Sequence, residues 1–457
     1  MRSVAKTENE SKPASTSFRK AITVKHAVAI YLSSVLGAGI LVIPGLAART
    51  AGAGSLLAWL LLAAASYPFA YTFSRLSARN PESGGIYSFA GEAFGPRVST
   101  MTAWLFVAWV ALGAPAVTLA AGTYLAFALP ISGLGVFGVA GAITVGAFGI
   151  NLRGIRFSGN VQVALVVSMV AVLSVAVAAS IPAMRTSNFS PILPGGIASV
   201  GVAMALIVWS FLGYENVSNI AEEFEDPRRD LGRSVTLSVV LIAALYLGIA
   251  FTVVGTGAYK AGGGVTPFAQ MMDNAFGSFG GLAVSIFAIV VIFSTVNAYT
   301  AGMARVVYAA AKEGSLPRSL AVVDSRRGVP RRALLALFGI VMVSLATFYF
   351  LRIDLQSAFL ATSGAAILTY VVGSAAGLKL LKERGVRKAI PWISLIVSIA
   401  ILPFIGALLA VSLVIAALGF LVGERRFRQM RARNKGVMSE MRAGPEENYE
   451  NSGGSEG

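Results

Sequence analysis

The stretch Ser33-Ser34-Val35-Leu36-Gly37-Ala38-Gly39-Ile40 lies at the centre of an uncharged run from Ala27 to Ala48. At about 1.5 Å per residue that run is roughly 33 Å long as a helix, enough to cross a bilayer once. Glycine and serine at its middle weaken the helix, and backbone N–H and C=O groups released there cannot stay unpaired in hydrocarbon. Either a bound solute or a close helix contact through the small residues could satisfy them.

Composition extends this reading to the whole chain. The 457 residues are 56% hydrophobic and 13% charged, with 49 glycines, no cysteine and one histidine, and the mean hydropathy is +0.74. Uncharged runs long enough to span a membrane recur throughout, so the sequence reads as an all-α polytopic membrane protein. Without cysteine there are no disulfides, thiolate metal sites or cysteine nucleophiles, and His26 alone leaves little for metal chemistry. The first apolar run is too long for a signal-peptide core and is expected to be retained as a span.

Twelve spans are expected, at 27–48, 55–77, 98–128, 134–150, 160–181, 198–221, 235–256, 281–311, 333–350, 355–381, 390–403 and 406–423. With the N-terminus inside, 32 of the 37 Lys and Arg residues fall in inside segments, while Arg49, Arg185, Lys260 and Arg352 fall outside. This asymmetry predicts both termini in the cytoplasm of a multi-pass cell-membrane protein. The net charge of +16 therefore reports topology and contact with membrane lipids, not nucleic acid. A basic tail over 1–25 and a hydrophilic, disordered tail over 424–457 flank the spans, a short helix is expected at Pro267–Phe276, and Asn80–Pro96 reads as partly helical.

The sixth span repeats the feature of the first. It reads Trp209-Ser210-Phe211-Leu212-Gly213-Tyr214-Glu215, interrupted by Ser210 and Gly213, and Glu215 is the acidic residue placed well inside a span. A charge at that depth costs several kcal/mol, so Glu215 is a functional-site candidate, with a structural carboxyl at a broken helix as the alternative. Interrupted helices at corresponding positions of two halves point to a transport site at the bilayer midplane. The expected architecture is a leucine-transporter-type inverted repeat, with five spans over 26–181, five over 198–381, and two more over 390–423. The repeat is read from hydropathy and break positions, not from residue-by-residue similarity.

Five motifs in order sharpen this. They are Gly37-Ala38-Gly39; Ser83-Gly84-Gly85-Ile86-Tyr87 with Phe94-Gly95-Pro96; Trp209 through Glu215; Glu222-Glu223-Phe224-Glu225-Asp226-Pro227-Arg228-Arg229-Asp230; and Arg305 followed by Lys312-Glu313-Gly314-Ser315-Leu316-Pro317. Over residues 25–420 the chain resembles the amino acid–polyamine–organocation superfamily of permeases, in particular bacterial transporters of neutral and branched-chain amino acids. The resemblance implies secondary active transport of amino acids by alternating access.

It also implies roles. Gly37, Ala38, Gly39 and Ile40 would cradle the substrate carboxylate, where a helix begins with free N–H groups and a positive dipole end. The substrate ammonium would meet carbonyls of Trp209, Ser210 and Leu212, and Trp209 and Phe211 would form walls or a gate. Ala114 on the third span stands where arginine-handling relatives have a polar contact, and Tyr299 where they have a gating tryptophan. The pocket so defined has no acidic specificity group apart from Glu215, which favours neutral, apolar amino acids over arginine or polyamines. Proton coupling through Glu215 is favoured. Met169 stands where some proton-coupled relatives have a lysine, and sodium held by Ser294, Thr295 and first-span carbonyls is the alternative. An exchanger, an exporter or a non-transporting sensor would use the same site. No cofactor, metal or enzymatic chemistry is expected, and the sequence does not encode a readable oligomeric state.

Overall fold

The computed structural model describes Val28, Tyr31, Leu32 and residues 35–79, 85–154, 159–214, 227–324 and 326–442. Apart from one isolated bridge between Asp324 and Val329, the regular structure among these residues is helical. In chain order the helices are α1 (Gly39–Ala51), α2 (Ser55–Arg79), α3 (Ile86–Phe94), α4 (Pro96–Ala128), α5 (Gly133–Leu152) and α6 (Gly159–Ser180). Then come α7 (Gly196–Ile207), α8 (Pro227–Thr256), α9 (Pro267–Phe276), α10 (Ser278–Lys312), α11 (Arg331–Phe350), α12 (Leu355–Leu380), α13 (Ala389–Ile401) and α14 (Leu409–Arg442). The expected short helix is α9, and the helical part of Asn80–Pro96 is α3.

Among the described residues, nine helical stretches are long and apolar enough to cross a membrane, with a shorter apolar stretch at Gly196–Phe211. Two of the nine, Gly39–Arg79 and Gly385–Arg428, run to 41 and 44 residues. Glycines divide both. Gly52 ends α1 at φ 56°, and Gly406 lies between α13 and α14 at φ 67°, a backbone region that L side chains rarely adopt.

The helices differ in depth within the bundle. The apolar windows of α12 and α4 are 83% and 72% buried by protein, whereas those of α5 and of the α13–α14 stretch are 28% and 22% buried. The first two therefore form the centre, and the others present their apolar side chains to lipid. Trp59, Tyr31, Tyr124, Tyr214, Tyr246 and Phe359 are among the largest fully buried side chains.

Two of the sequence motifs meet where α4 begins and α10 ends. The Tyr87 hydroxyl donates to Glu313 Oε2 at 2.6 Å and lies 2.9 Å from Ser315 Oγ, which also receives Thr100 Oγ1 and Arg426 Nη1 at 3.1 and 2.7 Å. Burial, then the bond to Glu313, pushes the Tyr87 phenol above its usual range, so it stays protonated as a donor. Arg97 pairs with Glu424 and lies 4.6 Å from the centre of the Phe427 ring. These contacts carry α14 past the expected end of the last span. The stretch 424–442, expected to be a disordered tail, continues as helix to Arg442, with Glu424 and Arg428 paired at 2.9 Å one turn apart.

At the other end of α1 the chain closes on itself through glycine. A Cβ on Gly45 would lie 2.1 Å from the Gly264 carbonyl oxygen, and Arg49 Nη1 donates to the Gly263 carbonyl at 2.9 Å. The Gly262–Gly264 turn is thus seated directly on the α1 backbone. Gly45→Ala should force this turn away and cost about 1–3 kcal/mol, measured as lowered unfolding stability in detergent; unchanged stability would show that the turn yields freely.

Candidate functional site

Both expected breaks are present, and they touch. Before the first, Leu36 N–H donates to Leu32 O at 2.7 Å and Gly37 N–H to Val35 O at 2.9 Å, so the ordinary helical ladder ends here. Helix α1 restarts at Gly39, where Ile40 and Leu41 N–H reach the Gly37 and Ala38 carbonyls at 3.4 and 3.2 Å in three-residue turns. These long three-residue bonds leave the positive dipole end of α1 at this turn. In the sixth span α7 tightens into a 3₁₀ turn over Val208–Phe211, Leu212 is extended with ψ 144°, and Gly213 has φ 125°. Only glycine adopts that backbone without strain, so Gly213 lets the chain turn away directly after the helix has ended at Phe211.

Absence of a side chain lets the two breaks meet. A Cβ on Gly39 would stand 3.0 Å from Trp209 Cδ1 and 3.2 Å from Ser210 Oγ. A Cβ on Gly37 would stand 3.1 Å from Thr295 Cγ2 on α10, which brings the first break against a residue of the sodium alternative. Ser210 is 1% exposed and its hydroxyl has no hydrogen-bond partner. A buried hydroxyl left unpaired beside a helix start is suited to a polar ligand.

Tyrosines on neighbouring helices bond carbonyls at and beside the breaks. The fully buried Tyr246 hydroxyl, from α8, lies 3.0 Å from Val35 O and 2.8 Å from Ser210 O, one carbonyl from each break. A phenol has a single proton, so it serves the two in alternation or by a shared bond. From α4, Tyr124 donates to Leu41 O at 2.7 Å. The Trp209 carbonyl receives the Leu212 N–H at 3.4 Å. Of the carbonyls expected to face an ammonium, that of Ser210 is thus engaged by Tyr246, while its unpaired hydroxyl is not.

The aromatic residues sort onto two sides. Phe211 packs against Trp59 and Tyr246, with ring centres 5.9 and 5.1 Å away, in a closed cluster behind the break. Trp209 is half-buried and meets Trp109 edge-on at 6.3 Å and Phe359 at 5.7 Å, while Tyr299 joins Trp109 at 6.4 Å. On α4 the residue under the Trp209 ring is Gly113, whose Cβ would stand 2.8 Å from Trp209 Cη2 and 3.0 Å from Thr362 Cγ2. Ala114, its neighbour, is half-buried, and its carbonyl accepts from Thr118 Oγ1 at 3.0 Å. Met169 is buried on α6. Glu215, the acidic stretch Glu222–Asp226, Ser33, Ser34 and His26 lie outside the described residues.

Sequence reasoning passed over Tyr246, Trp109, Gly113, Phe359 and Thr362. A tyrosine or tryptophan in an apolar span reads as packing, and nothing local marked these. Another buried pair also went unread: Asn151 Nδ2 on α5 donates to Asn297 Oδ1 on α10 at 2.8 Å. Tyr246→Phe keeps the ring but removes the donor shared by the two breaks. It should cost about 1–3 kcal/mol of stability and weaken ligand binding beyond what the stability loss explains; wild-type binding would mean that the hydroxyl only fills space.

A sequence profile described as amino acid permease matches residues 22–427. An uncharacterised amino acid permease of Bacillus subtilis, YecA, is 29% identical over 402 residues, covering 88% of this chain and 95% of its own. The L-methionine/branched-chain amino acid exporter YjeH of Escherichia coli is 29% identical over 369 residues, covering 78% and 85%. The vacuolar cationic amino acid transporter 2 of Arabidopsis thaliana is 27% identical over 351 residues, covering 72% and 55%. Touching helix breaks, apolar spanning helices and a profile match over nearly the whole length converge, and the chain belongs to the amino acid permease family of multi-pass membrane transport proteins.

Proposed function

We propose that this permease is a secondary active transporter of neutral, apolar amino acids, built on twelve spans with an inverted five-plus-five repeat, both termini cytoplasmic, in the cell membrane. The observation that carries the reading is the contact of Gly39 with Trp209 and Ser210, because it joins a helix start to released carbonyls in one place. An amino acid offers the matching pair of charges. Its carboxylate would meet the positive end of α1 at Gly37 to Ile40, drawing the Gly37 and Ile40 amides from their present acceptors Val35 O and Gly37 O, and its ammonium the carbonyls of Trp209 and Leu212 with the Ser210 hydroxyl. The side chains meeting beside them, Trp109, Trp209, Tyr299, Phe359 and Thr362, are uncharged, which supports an apolar substrate over a cationic one. The methionine and branched-chain substrates for which the Escherichia coli relative is named agree with this choice, whereas the cationic amino acids for which the plant relative is named do not.

Proton coupling through Glu215 remains the favoured mechanism, since an acid placed at that depth by sequence gains or loses its proton according to its surroundings. Gly37 against Thr295 supports the sodium alternative. Transport by purified protein in liposomes separates them. Uptake of leucine or methionine should follow an imposed proton gradient and persist without sodium, and Glu215→Gln should remove the gradient dependence; sodium-driven uptake with Thr295→Val inactive would reverse the assignment.

Binding tests the pocket itself. Because a ligand held only by the folded state raises the melting temperature, a thermal-shift screen should respond to neutral amino acids and not to arginine or polyamines. Gly113→Leu, placed under the Trp209 ring, should shift the ranking towards smaller ligands, at about 1–3 kcal/mol for the lost volume. A larger effect from Ala114→Leu would mean that the third span presents its other face.

A further inference from the structure

Beyond the transport site, we infer that the ends of α5 and α11 form a binding site for the head group and upper chain of an anionic phospholipid, on the face that the charge asymmetry assigns to the cytoplasm. A groove of about 540 Å³ lies there, bordered by Arg153, Arg327 and Arg331 at one end and by apolar residues along its length. The spacing sets this gradient. Val145 and Gly149 on α5 and Arg153 capping its end fall four residues apart, as do Arg331 and Leu335 on α11, so each helix presents one seam running from charge to hydrocarbon. Val145 and Leu335 are 53% and 45% exposed. Nothing lies within 4 Å of the position a Cβ on Gly149 would take, which leaves the seam open between them.

Arg327 is held in place, and among the described residues none of the three arginines has an ion-pair partner. Arg327 Nη1 donates to the Leu152 carbonyl at 3.3 Å, and a Cβ on Gly154 would lie 3.1 Å from the Arg327 carbonyl oxygen, so this loop is seated on the end of α5. Asp324 is the carboxylate lining the adjoining hollow, and its Oδ1 accepts the Arg326 N–H at 2.9 Å. Among the described residues, positive charge therefore exceeds negative charge around the groove. Guanidinium forks match phosphate oxygens in pairs, and clusters of them at a membrane surface attract acidic lipids. A free phosphate would use the arginines but not the apolar seam; a phospholipid uses both.

Native mass spectrometry of the full chain, delipidated in detergent and titrated with phosphatidylglycerol or phosphatidylcholine, tests this. Phosphatidylglycerol should be retained preferentially, and Arg153→Ala with Arg331→Ala should weaken its retention on the order of tenfold. The same charge loss at the exposed Arg384 and Arg387 should leave it unchanged. Gly149→Leu keeps every charge and blocks the seam, so it should also release the lipid, while millimolar inorganic phosphate should not. Equal retention of the two lipids, or retention unaffected by the Arg153 and Arg331 pair in protein of wild-type melting profile, would overturn the site. Displacement by phosphate with Gly149→Leu neutral would overturn the lipid as its occupant.

Discussion

Inside a membrane a backbone that leaves the helix must find new hydrogen-bond partners within the protein, and much of this structure follows from meeting that constraint twice at one place. The chain leaves the helix before Gly39 and after Phe211, and these two places touch. Had either broken alone, its carbonyls and amides would face hydrocarbon at a cost of several kcal/mol each. Together they share partners: the Tyr246 hydroxyl lies within reach of Val35 O and Ser210 O, and Tyr124 takes Leu41 O. What these leave over, chiefly the Ser210 hydroxyl, is polar, buried and adjacent to the positive end of α1.

Close approach depends on glycine at the contact points. Gly37 meets Thr295, Gly39 meets Trp209 and Ser210, and Gly113 meets Trp209 and Thr362, so a methyl group at any of them would press on its neighbour. Trp209 stands at the intersection. It touches the first break through its five-membered ring and the third span through its six-membered ring, so a shift of either helix is felt by the same side chain. The Phe211 cluster behind it, with Trp59 and Tyr246, is closed packing. It fixes the 3₁₀ turn from the rear while Trp209 faces the aromatic wall.

The ends of the bundle are organised differently from its middle. Where α4 starts and α10 stops, Tyr87 on α3, Thr100 on α4, Glu313 and Ser315 just after α10, and Arg426 on α14 are joined through side-chain hydrogen bonds. The opposite end of α1 relies on backbone contact between Gly45 and Gly264. Two of the quoted motifs thus acquire a structural meaning. The glycine-bounded start of α3 and the Glu-Gly-Ser turn after α10 are halves of one polar junction, although a long stretch of chain separates them.

The sequence by itself determined the membrane class, the positions of most of the long apolar helices and the two places where the helix gives way, because hydropathy, charge and the weakening of a helix by Gly37, Gly39, Ser210 and Gly213 are local properties. It also determined, through motif spacing, the permease family. Only the tertiary structure decided which side chains meet the breaks. Gly113 rather than its neighbour Ala114 lies under Trp209 because helix rotation is set by packing around the whole circumference. Tyr246 serves as the shared donor because α8 passes behind both spans, and no residue near it in sequence hints at those partners. The last helix runs on to Arg442 because Glu424 and Arg426 find partners on α4 and after α10. Local chemistry declares where a helix cannot continue; which groups answer for the missing bonds is a matter of what lies across the bundle.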